Sequence, residues 1–366
     1  MKLTANSYIS DIEPYKAGKS KALGSNKPAI KLSSNENALK ASPKAIAAYK
    51  DFSANIHRYN FGDADGNCTV LRAAIAQHHD INPDNITCGA GSDEIIALLC
   101  QAFATTGDQI LYSQYGFLMY PISAKRVGAE PVIAKESSLC ADIDNILSAI
   151  TDKTRIIFLA NPNNPTGSYL NNHQLEKLIK AIPENVILAL DMAYAEFVDI
   201  QDYPNGIDLV ARYDNVVMIR TFSKIYGLAG LRLGWCYASN YITDILNRVR
   251  GPFNVSGAAQ IAGIAAVKDQ DFIKKSKAHN DKWLKIIAAR LNENNIKFYP
   301  SLANFILIDF LTIAKCNAVN NFLMSSGIIL RDVAAYSLPH CLRMTVGTEE
   351  ENIKALDLLL EAVNLK

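Results

Sequence analysis

The connection between two short apolar runs, residues 216–219 and 233–238, reads Thr221-Phe222-Ser223-Lys224-Ile225-Tyr226-Gly227-Leu228-Ala229-Gly230-Leu231-Arg232-Leu233-Gly234. A lysine directly after a buried strand, with a hydroxyl before it and glycines and an arginine after it, is unusual in a surface turn. Held in a crevice, the amine of Lys224 can act as a nucleophile toward an aldehyde. Ser223 and Arg232 would supply a hydroxyl and a fixed guanidinium for a phosphate dianion. The stretch therefore predicts a crevice that combines a reactive lysine with an anion site.

Around this stretch, from about residue 35 to residue 249, helical segments alternate with short apolar runs that stop at polar or glycine-rich turns. This pattern is typical of a parallel sheet covered by helices on both faces. The predicted strands are residues 86–88, 109–112, 155–159, 186–190, 216–219 and 233–238, and the predicted helices include 70–79, 93–103 and 174–182. In such sheets ligands bind at the carboxyl ends of the strands, so the polar residues that follow these runs are expected to converge on one crevice.

The C-terminal third of the chain predicts a second, smaller domain. A long helix over residues 271–293 is expected to carry the chain into it, followed by one strand at 305–308 and helices at 318–326 and 349–363. We expect residues 1–34 to form an N-terminal arm and part of the small domain, and residues 35–250 to form the large domain. Residues 251–366 then supply the linking helix and the small α+β domain.

The composition excludes several classes of function. Hydrophobic residues make up 49% of the 366 residues and charged residues 20%, as in an ordinary globular protein. Thirty-seven basic and 36 acidic side chains give a net charge of +1 without a basic run, so nucleic acid is not expected as a partner. No segment approaches the roughly 18 apolar residues of a membrane span, so we expect no membrane partner and a cytoplasmic location. The seven scattered cysteines predict neither a disulfide framework nor a metal site.

Three polar motifs follow predicted strands upstream of Lys224. The first, Asn161-Pro162-Asn163-Asn164-Pro165-Thr166-Gly167, predicts a tight turn. The second is Asp191, a carboxylate at the mouth of a buried strand that needs a cationic partner, or else an N-cap of a helix. The third, Gly89-Ala90-Gly91-Ser92-Asp93-Glu94, lies between a strand and a helix, so its backbone N–H groups can hold a phosphate, or Ser92 simply caps the helix.

The serine–lysine pair with its spaced glycines and arginine, preceded by these motifs in the same order, resembles the fold type I enzymes that depend on pyridoxal 5'-phosphate (PLP). The resemblance covers nearly the whole chain. It implies an α/β fold with a large domain built on a mostly parallel seven-stranded sheet and a small α+β domain. It also implies PLP as the cofactor and Lys224 as the lysine that forms a Schiff base with it.

The same resemblance implies a role for each candidate residue of the cofactor site. Asp191 would pair with the protonated pyridine nitrogen and keep the ring cationic. Asn161 and Tyr194 would share the phenolic oxygen, and Tyr115 would stack on the ring. The phosphate would be held by Gly91, Ser92, Asp93, Ser223 and Arg232.

Further segments are similar to those of histidinol-phosphate aminotransferases, a branch of this family. Arg58-Tyr59 resembles a segment whose tyrosine reaches the PLP phosphate of the neighbouring subunit, although Asn60 stands where proline is usual. Tyr59 therefore implies a homodimer with composite active sites. Segments 327–332 and 338–348 resemble the C-terminal pattern of the branch. The substrate-binding residues implied are Tyr15, Asn161, Arg331 and Arg343, with the two arginines forming an anion clamp.

The implied reaction is transamination between two small molecules, L-histidinol phosphate and 2-oxoglutarate. Aromatic-amino-acid aminotransferases and threonine-phosphate decarboxylases share most of these motifs and remain alternatives. Two functions of other classes fit less well. A PLP-dependent transcription regulator would carry a DNA-binding domain ahead of the family pattern, which here begins near residue 15, and a catalytically inactive binding protein would be expected to lose Lys224 or Asp191.

Overall fold

The computed structural model describes residues 3–15, 29–59 and 66–364, and its largest element is a seven-stranded sheet. In chain order its strands are β1 (Ile86–Gly89), β2 (Gln109–Ser113), β3 (Glu130–Ala134), β4 (Thr154–Ala160), β5 (Ile187–Asp191), β6 (Val216–Thr221) and β7 (Gly234–Tyr237). Their spatial order is β1-β7-β6-β5-β4-β2-β3, and only β7 runs antiparallel to its neighbours. The predicted mostly parallel seven-stranded sheet is therefore confirmed. Its β3 was not recognised in the sequence, because this edge strand is only partly buried.

Thirteen α-helices occur in the described part of the chain. They are α1 (Ser7–Ser10), α2 (Pro43–Phe52), α3 (Thr69–His79), α4 (Ser92–Phe103), α5 (Met119–Arg126), α6 (Ile143–Ser148), α7 (Asn172–Ala181), α8 (Gly206–Arg212), α9 (Asn240–Val249), α10 (Gly257–Lys268), α11 (Gln270–Glu293), α12 (Ile313–Ser325) and α13 (Glu349–Asn364). The helices predicted from the sequence are all present, with the largest boundary error at the start of α12. The described residues contain no helix with the length and apolar character needed to cross a membrane.

The large sheet is buried on both faces because successive side chains of a strand point to opposite sides. Leu188 and Leu190 of β5 pack on one face, in a core shared with α3, α7 and α10. Ile187 and Ala189 of the same strand pack on the other face, in a core shared with α4, α5 and α9. Strands buried on both faces appear in the sequence as continuous apolar runs, which is why most of them could be recognised there.

A four-stranded antiparallel sheet forms a separate core near the C-terminus. Its strands are β8 (Lys297–Tyr299), β9 (Phe305–Asp309), β10 (Arg331–Asp332) and β11 (Cys341–Thr345), in the spatial order β8-β9-β11-β10. The sequence predicted one strand here, and β8, β10 and β11 were missed; β8 and β10 have only three and two residues, whereas β11 has five.

Helix α11 connects the two parts of the molecule. Ile273 near its start belongs to a core of the large sheet, whereas Trp283, Ile287 and Leu291 pack in the core of the small sheet. A short parallel pair, Ile30–Lys31 with Ile328–Ile329, attaches the segment before residue 33 to the small sheet. The predicted domain boundaries at residues 34 and 250 stay a prediction.

Candidate active site

A cleft of about 390 Å³ lies at the carboxyl ends of β4, β5 and β6. Asp191 ends β5, and Lys224 follows the neighbouring strand β6 by three residues. Ten of the predicted site residues line the cleft: Tyr15, Ser92, Asp93, Asp191, Tyr194, Ser223, Lys224, Arg232, Arg331 and Arg343. The packing of the two sheets and the N-terminal segment thus brings together side chains that are more than 300 residues apart in the chain.

An anion site forms one end of this cleft, where α4 begins at Ser92. The Arg232 guanidinium donates to Ser223 Oγ at 3.2 Å and to Asp93 Oδ2 at 3.0 Å. It lies directly over Gly91, where an added Cβ would collide with the guanidinium. Glycine is therefore favoured at position 91, which also has a positive φ of 86°. The N-terminus of α4, a hydroxyl and a guanidinium together form the donor set that binds phosphate.

Asp191 is a buried carboxylate with one oxygen available to a ligand. Its Oδ2 accepts a hydrogen bond from Tyr120 Oη at 2.9 Å, whereas Oδ1 has no hydrogen-bond partner among the described residues. Burial raises the pKa of the Asp191 carboxyl to about 6. A cationic N–H group placed at Oδ1 would supply both the missing hydrogen bond and the missing positive charge. Tyr120 was not predicted as part of the site, since an aromatic residue in a helix is usually part of the core.

Lys224 and Tyr194 face each other across the cleft. The Lys224 Nζ atom is 5.7 Å from the centre of the Tyr194 ring. Tyr194 is buried, and its hydroxyl accepts a hydrogen bond from Asn35 Nδ2 at 2.8 Å. The amine and the phenol are therefore close enough to act on the same small ligand.

The turn after β4 presents a different asparagine to the cleft from the one predicted. The side chain of Asn161 donates to the carbonyl of Leu170 at 3.0 Å and accepts from the backbone N–H of Leu170 at 2.9 Å, so both of its polar atoms serve the fold. Asn164 lines the cleft instead and accepts a hydrogen bond from Arg343. The motif has an asparagine before each of its two prolines, and the sequence does not tell which one faces the crevice.

The aromatic residue at the cleft also differs from the prediction. Tyr115 packs beside a small cluster that contains Leu307 and Val333. Phe117, two residues later, lines the cleft and contacts Tyr120 edge to face, with ring centres 5.9 Å apart. Both residues lie in the loop between β2 and α5, where no periodic pattern indicates which side chain points inward.

At the opposite end of the cleft, two arginines lie side by side on neighbouring strands. Arg331 of β10 and Arg343 of β11 are directly paired in the antiparallel register. Arg343 is 5% exposed, and burial lowers the pKa of its guanidinium. Like charges directly opposite each other destabilise a sheet unless an anion offsets them. Two guanidinium groups side by side favour an anionic ligand, and Tyr15 and Tyr336 line the cleft beside them.

Tyr59 lies outside this cleft. Its side chain is 77% exposed and stacks on Phe253, with ring centres 4.8 Å apart. An exposed aromatic pair of this kind is typical of a surface that contacts another molecule. Asn60 and the arm residues Lys16, Ala17 and Gly18 lie outside the described residues.

One group of three potential metal ligands, Asp309, His340 and Cys341, occurs in the described ranges, away from the cleft. The Asp309 carboxylate already accepts hydrogen bonds from Lys297 Nζ at 2.8 Å and Tyr299 Oη at 2.9 Å. A lysine ammonium neutralises this carboxylate, so the group is best described as an ion pair between the buried Asp309 and the half-exposed Lys297.

The chain is similar in sequence to known proteins. Residues 27–359 match the family model "Aminotransferase class I and II". The chain is 47% identical over 357 residues to a histidinol-phosphate aminotransferase of Paramagnetospirillum magneticum, covering 97% of each chain. It is 49% identical over 345 residues to one of Rhodospirillum rubrum, covering 94% of this chain and 92% of the relative.

Two solved structures have the same fold. The histidinol-phosphate aminotransferase of Sinorhizobium meliloti in complex with PLP superposes with a TM-score of 0.91 at 24% identity, covering 99% of this chain and 98% of the other. The histidinol-phosphate aminotransferase of Clostridium acetobutylicum superposes with a TM-score of 0.83 at 25% identity, covering 92% and 99%.

Proposed function

The chain belongs to the class I and II aminotransferase family, and from this premise we propose that it transfers the amino group of L-histidinol phosphate to 2-oxoglutarate. The products are imidazole acetol phosphate and glutamate, a step of histidine biosynthesis. The observation that carries this proposal is the identity of 47% to a histidinol-phosphate aminotransferase over 97% of the chain. The paired arginines in the cleft supply the anion site that a phosphorylated substrate requires.

The cofactor of this reaction is PLP, and two features of the cleft fit it. The cup of Gly91, Ser92, Ser223 and Arg232 suits its phosphate, and the free Oδ1 atom of Asp191 suits its pyridinium N–H. When bound, PLP supplies an aldehyde for the substrate amine and a cationic ring that withdraws electrons from the substrate carbon. Asp191 keeps that ring protonated, and Tyr120 holds the Asp191 carboxylate in place.

Lys224 carries the proton in the chemical step. Its Nζ atom would hold the aldehyde end of PLP in the resting enzyme and, with substrate bound, would accept the proton of the substrate carbon and give it back. Tyr194 and Asn164, which both line the cleft, would bind the phenolic oxygen, a role that the resemblance implied for Asn161. Phe117 takes the place at the ring that the sequence assigned to Tyr115.

Arg331, Arg343 and Tyr15 bind the substrate phosphate at the other end of the cleft. Arg343 is held by Asn164 and by the carbonyl of Ser33, which accepts from its Nη2 at 2.9 Å. A guanidinium held in this way loses little conformational freedom when an anion binds. In the second half-reaction the same Arg343 accepts a carboxylate of 2-oxoglutarate.

Steady-state kinetics with three amines test the substrate. We expect kcat/KM for histidinol phosphate to exceed that for phenylalanine by about tenfold or more, because phenylalanine leaves the arginine pair without a phosphate. With threonine phosphate we expect no release of carbon dioxide. A tenfold preference for phenylalanine would instead identify an aromatic aminotransferase, and release of carbon dioxide without an oxo acid would identify a decarboxylase.

We also propose that the enzyme is a cytoplasmic homodimer in which Tyr59 contacts the PLP phosphate of the partner subunit. The exposed Tyr59 ring, stacked on Phe253, supports this assignment, since an aromatic surface of this kind is stabilised by burial against a second chain. In that arrangement each active site combines residues of two chains.

Mixing two inactive variants tests the composite site. Lys224→Ala and Tyr59→Ala chains are unfolded together in equal amounts and refolded. We expect about a quarter of all active sites to be functional, because half of the dimers are mixed and each mixed dimer has one intact site of two. Activity is measured at limiting PLP, with each variant refolded alone as the control. If Tyr59 acted within its own chain, the mixture would stay as inactive as its components. A fully active monomer in sedimentation experiments would also contradict the proposal.

A further inference from the structure

The buried residue Asn35 connects Tyr194 to the small sheet. Its Nδ2 atom donates to the Tyr194 hydroxyl at 2.8 Å, and its Oδ1 atom accepts from Thr345 Oγ1 of β11 at 3.0 Å. Asn35, Tyr194 and Thr345 are all less than 5% exposed. Asn35 also lines the cleft. The polar contacts of this residue therefore lie between the proposed cofactor site and the strand that carries Arg343.

In the structure Thr345 contacts the oxygen side of the Asn35 amide. Thr345 Oγ1 accepts from the backbone N–H of Asn35 at 3.0 Å, so its own proton is available to the Asn35 Oδ1 atom. With Oδ1 facing Thr345, the Nδ2 atom must face Tyr194. The backbone of Asn35 is held as well, because its carbonyl accepts from Asn304 Nδ2 at 3.1 Å. The amide is thus fixed on both sides.

This orientation controls the direction of the Tyr194 proton. Because the Tyr194 oxygen accepts a hydrogen bond from Asn35, its own hydroxyl proton cannot point at Asn35. Tyr194 also lines the cleft, so a ligand bound there can accept this proton. A donor directed into the cleft is what an anionic ligand oxygen requires.

We propose that Asn35 is a positioning residue that directs the hydroxyl proton of Tyr194 to the phenolic oxygen of bound PLP. This inference rests on the proposed function, since it requires PLP in the cleft. A hydrogen bond donated to that oxygen stabilises its negative charge. Thr345 follows Arg343 by two residues on β11, so the strand that binds the substrate also fixes the partner of Tyr194.

The charged and titratable groups around Tyr194 come from several elements. Lys224 faces its ring from the turn after β6, and Arg343 faces it from β11. Tyr336 and Tyr120 approach it from the small domain and from α5, and Asp191 lines the same cleft. A substitution at Asn35 leaves all five unchanged, so its effect can be separated from theirs.

The substitution Asn35→Asp tests the inference. It keeps the size of the side chain and an acceptor for Thr345, but replaces the donor to Tyr194 with an oxygen, and aspartate tolerates the positive φ of 54°. The absorbance of the PLP-loaded protein changes with pH, and we expect the midpoint of that change to rise by about one pH unit. The reason is that the deprotonated form of the bound cofactor loses the hydrogen bond from Tyr194 to its phenolic oxygen. In a Tyr194→Phe background we expect the same substitution to leave the midpoint unchanged.

The Tyr194→Phe background also separates hydrogen bonding from the negative charge of an aspartate, since the charge would act whether or not the hydroxyl is present. An unchanged midpoint in Asn35→Asp, or an equal rise in both backgrounds, overturns the proposal. Asn35→Gly, which tolerates the backbone conformation and adds no charge, is expected to raise the midpoint as well.

Two further measurements complete the test. Thr345→Val is the matched control, because it breaks the other contact of the Asn35 side chain, and we expect it to change the midpoint less than Asn35→Asp does. Thermal unfolding of the PLP-free proteins reports any loss of stability independently of the cofactor. If the parent protein shows no PLP absorbance at all, both the proposed cofactor and this inference fall, whereas a normal band that Asn35→Asp and Asn35→Gly do not shift overturns the inference alone.

Discussion

Replacement of Lys224 by alanine is expected to abolish transamination while the protein still folds and binds PLP noncovalently. The substitution removes the proposed proton carrier from the cleft but leaves the phosphate cup of Ser223 and Arg232 and the carboxylate of Asp191. General acid–base catalysis contributes roughly 10²- to 10⁴-fold, so we expect turnover to fall by at least about a hundredfold. Single-turnover kinetics with histidinol phosphate and equilibrium dialysis of PLP measure the two effects separately.

Two controls make this result specific. Lys274→Ala, at an exposed position on α11, is expected to leave turnover and PLP binding unchanged. A small primary amine added to Lys224→Ala is expected to restore part of the turnover, because it can occupy the space of the lost side chain and carry the proton. Substantial transamination by Lys224→Ala without added amine would rule out the assigned role of this lysine.

Replacement of Arg343 by alanine is expected to impair both half-reactions, whereas replacement of Arg331 should mainly impair the one with histidinol phosphate. Each substitution removes charge-assisted hydrogen bonds to the substrate, worth roughly 1.5 to 3 kcal/mol, or about ten- to a hundredfold in kcat/KM. Arg343 is buried and fixed by Asn164 and Ser33, so we expect the larger loss there. Arg343→Lys is not expected to restore activity, because an ammonium lacks the planar pair of donors.

Half-reactions measured separately with histidinol phosphate and with glutamate check this prediction. The informative quantity is the loss in kcat/KM for histidinol phosphate divided by the loss for glutamate. This ratio should be near one for Arg343→Ala and clearly above one for Arg331→Ala. Equal losses in both half-reactions for both variants would mean that the two arginines stabilise the small sheet. They would then not have different roles in binding the substrate phosphate and the carboxylate of the second substrate.

Much of the fold could be predicted because its strands are short, apolar and buried on both faces. Strands β4, β5 and β6 are continuous runs that only a covered parallel sheet explains. Edge strand β3 and the short β8 and β10 lack such runs, because partial burial and two- or three-residue lengths leave no periodic signal. The apolar runs alone predicted six strands for the large sheet, whereas the resemblance to fold type I enzymes implied seven.

The residues of the candidate site also fall into two groups: those that the local sequence predicts and those that it does not. The class of chemistry could be predicted from local sequence. Ser223, Lys224 and Arg232 lie in one connection between two strands, and Asp191 directly ends a buried strand. Local spacing is preserved on folding. It therefore carries information about side chains that lie close together in the chain.

Which side chains enter the cleft from irregular segments depends on tertiary contacts. Asn164 rather than Asn161 lines it and contacts the distant Arg343, whereas Tyr115 packs beside the distant Leu307 and Val333 and leaves the cleft to Phe117. The link from Tyr194 through Asn35 to Thr345 joins positions up to 310 residues apart. Contacts of that range depend on how two separate cores pack against each other, and no spacing along the chain encodes them.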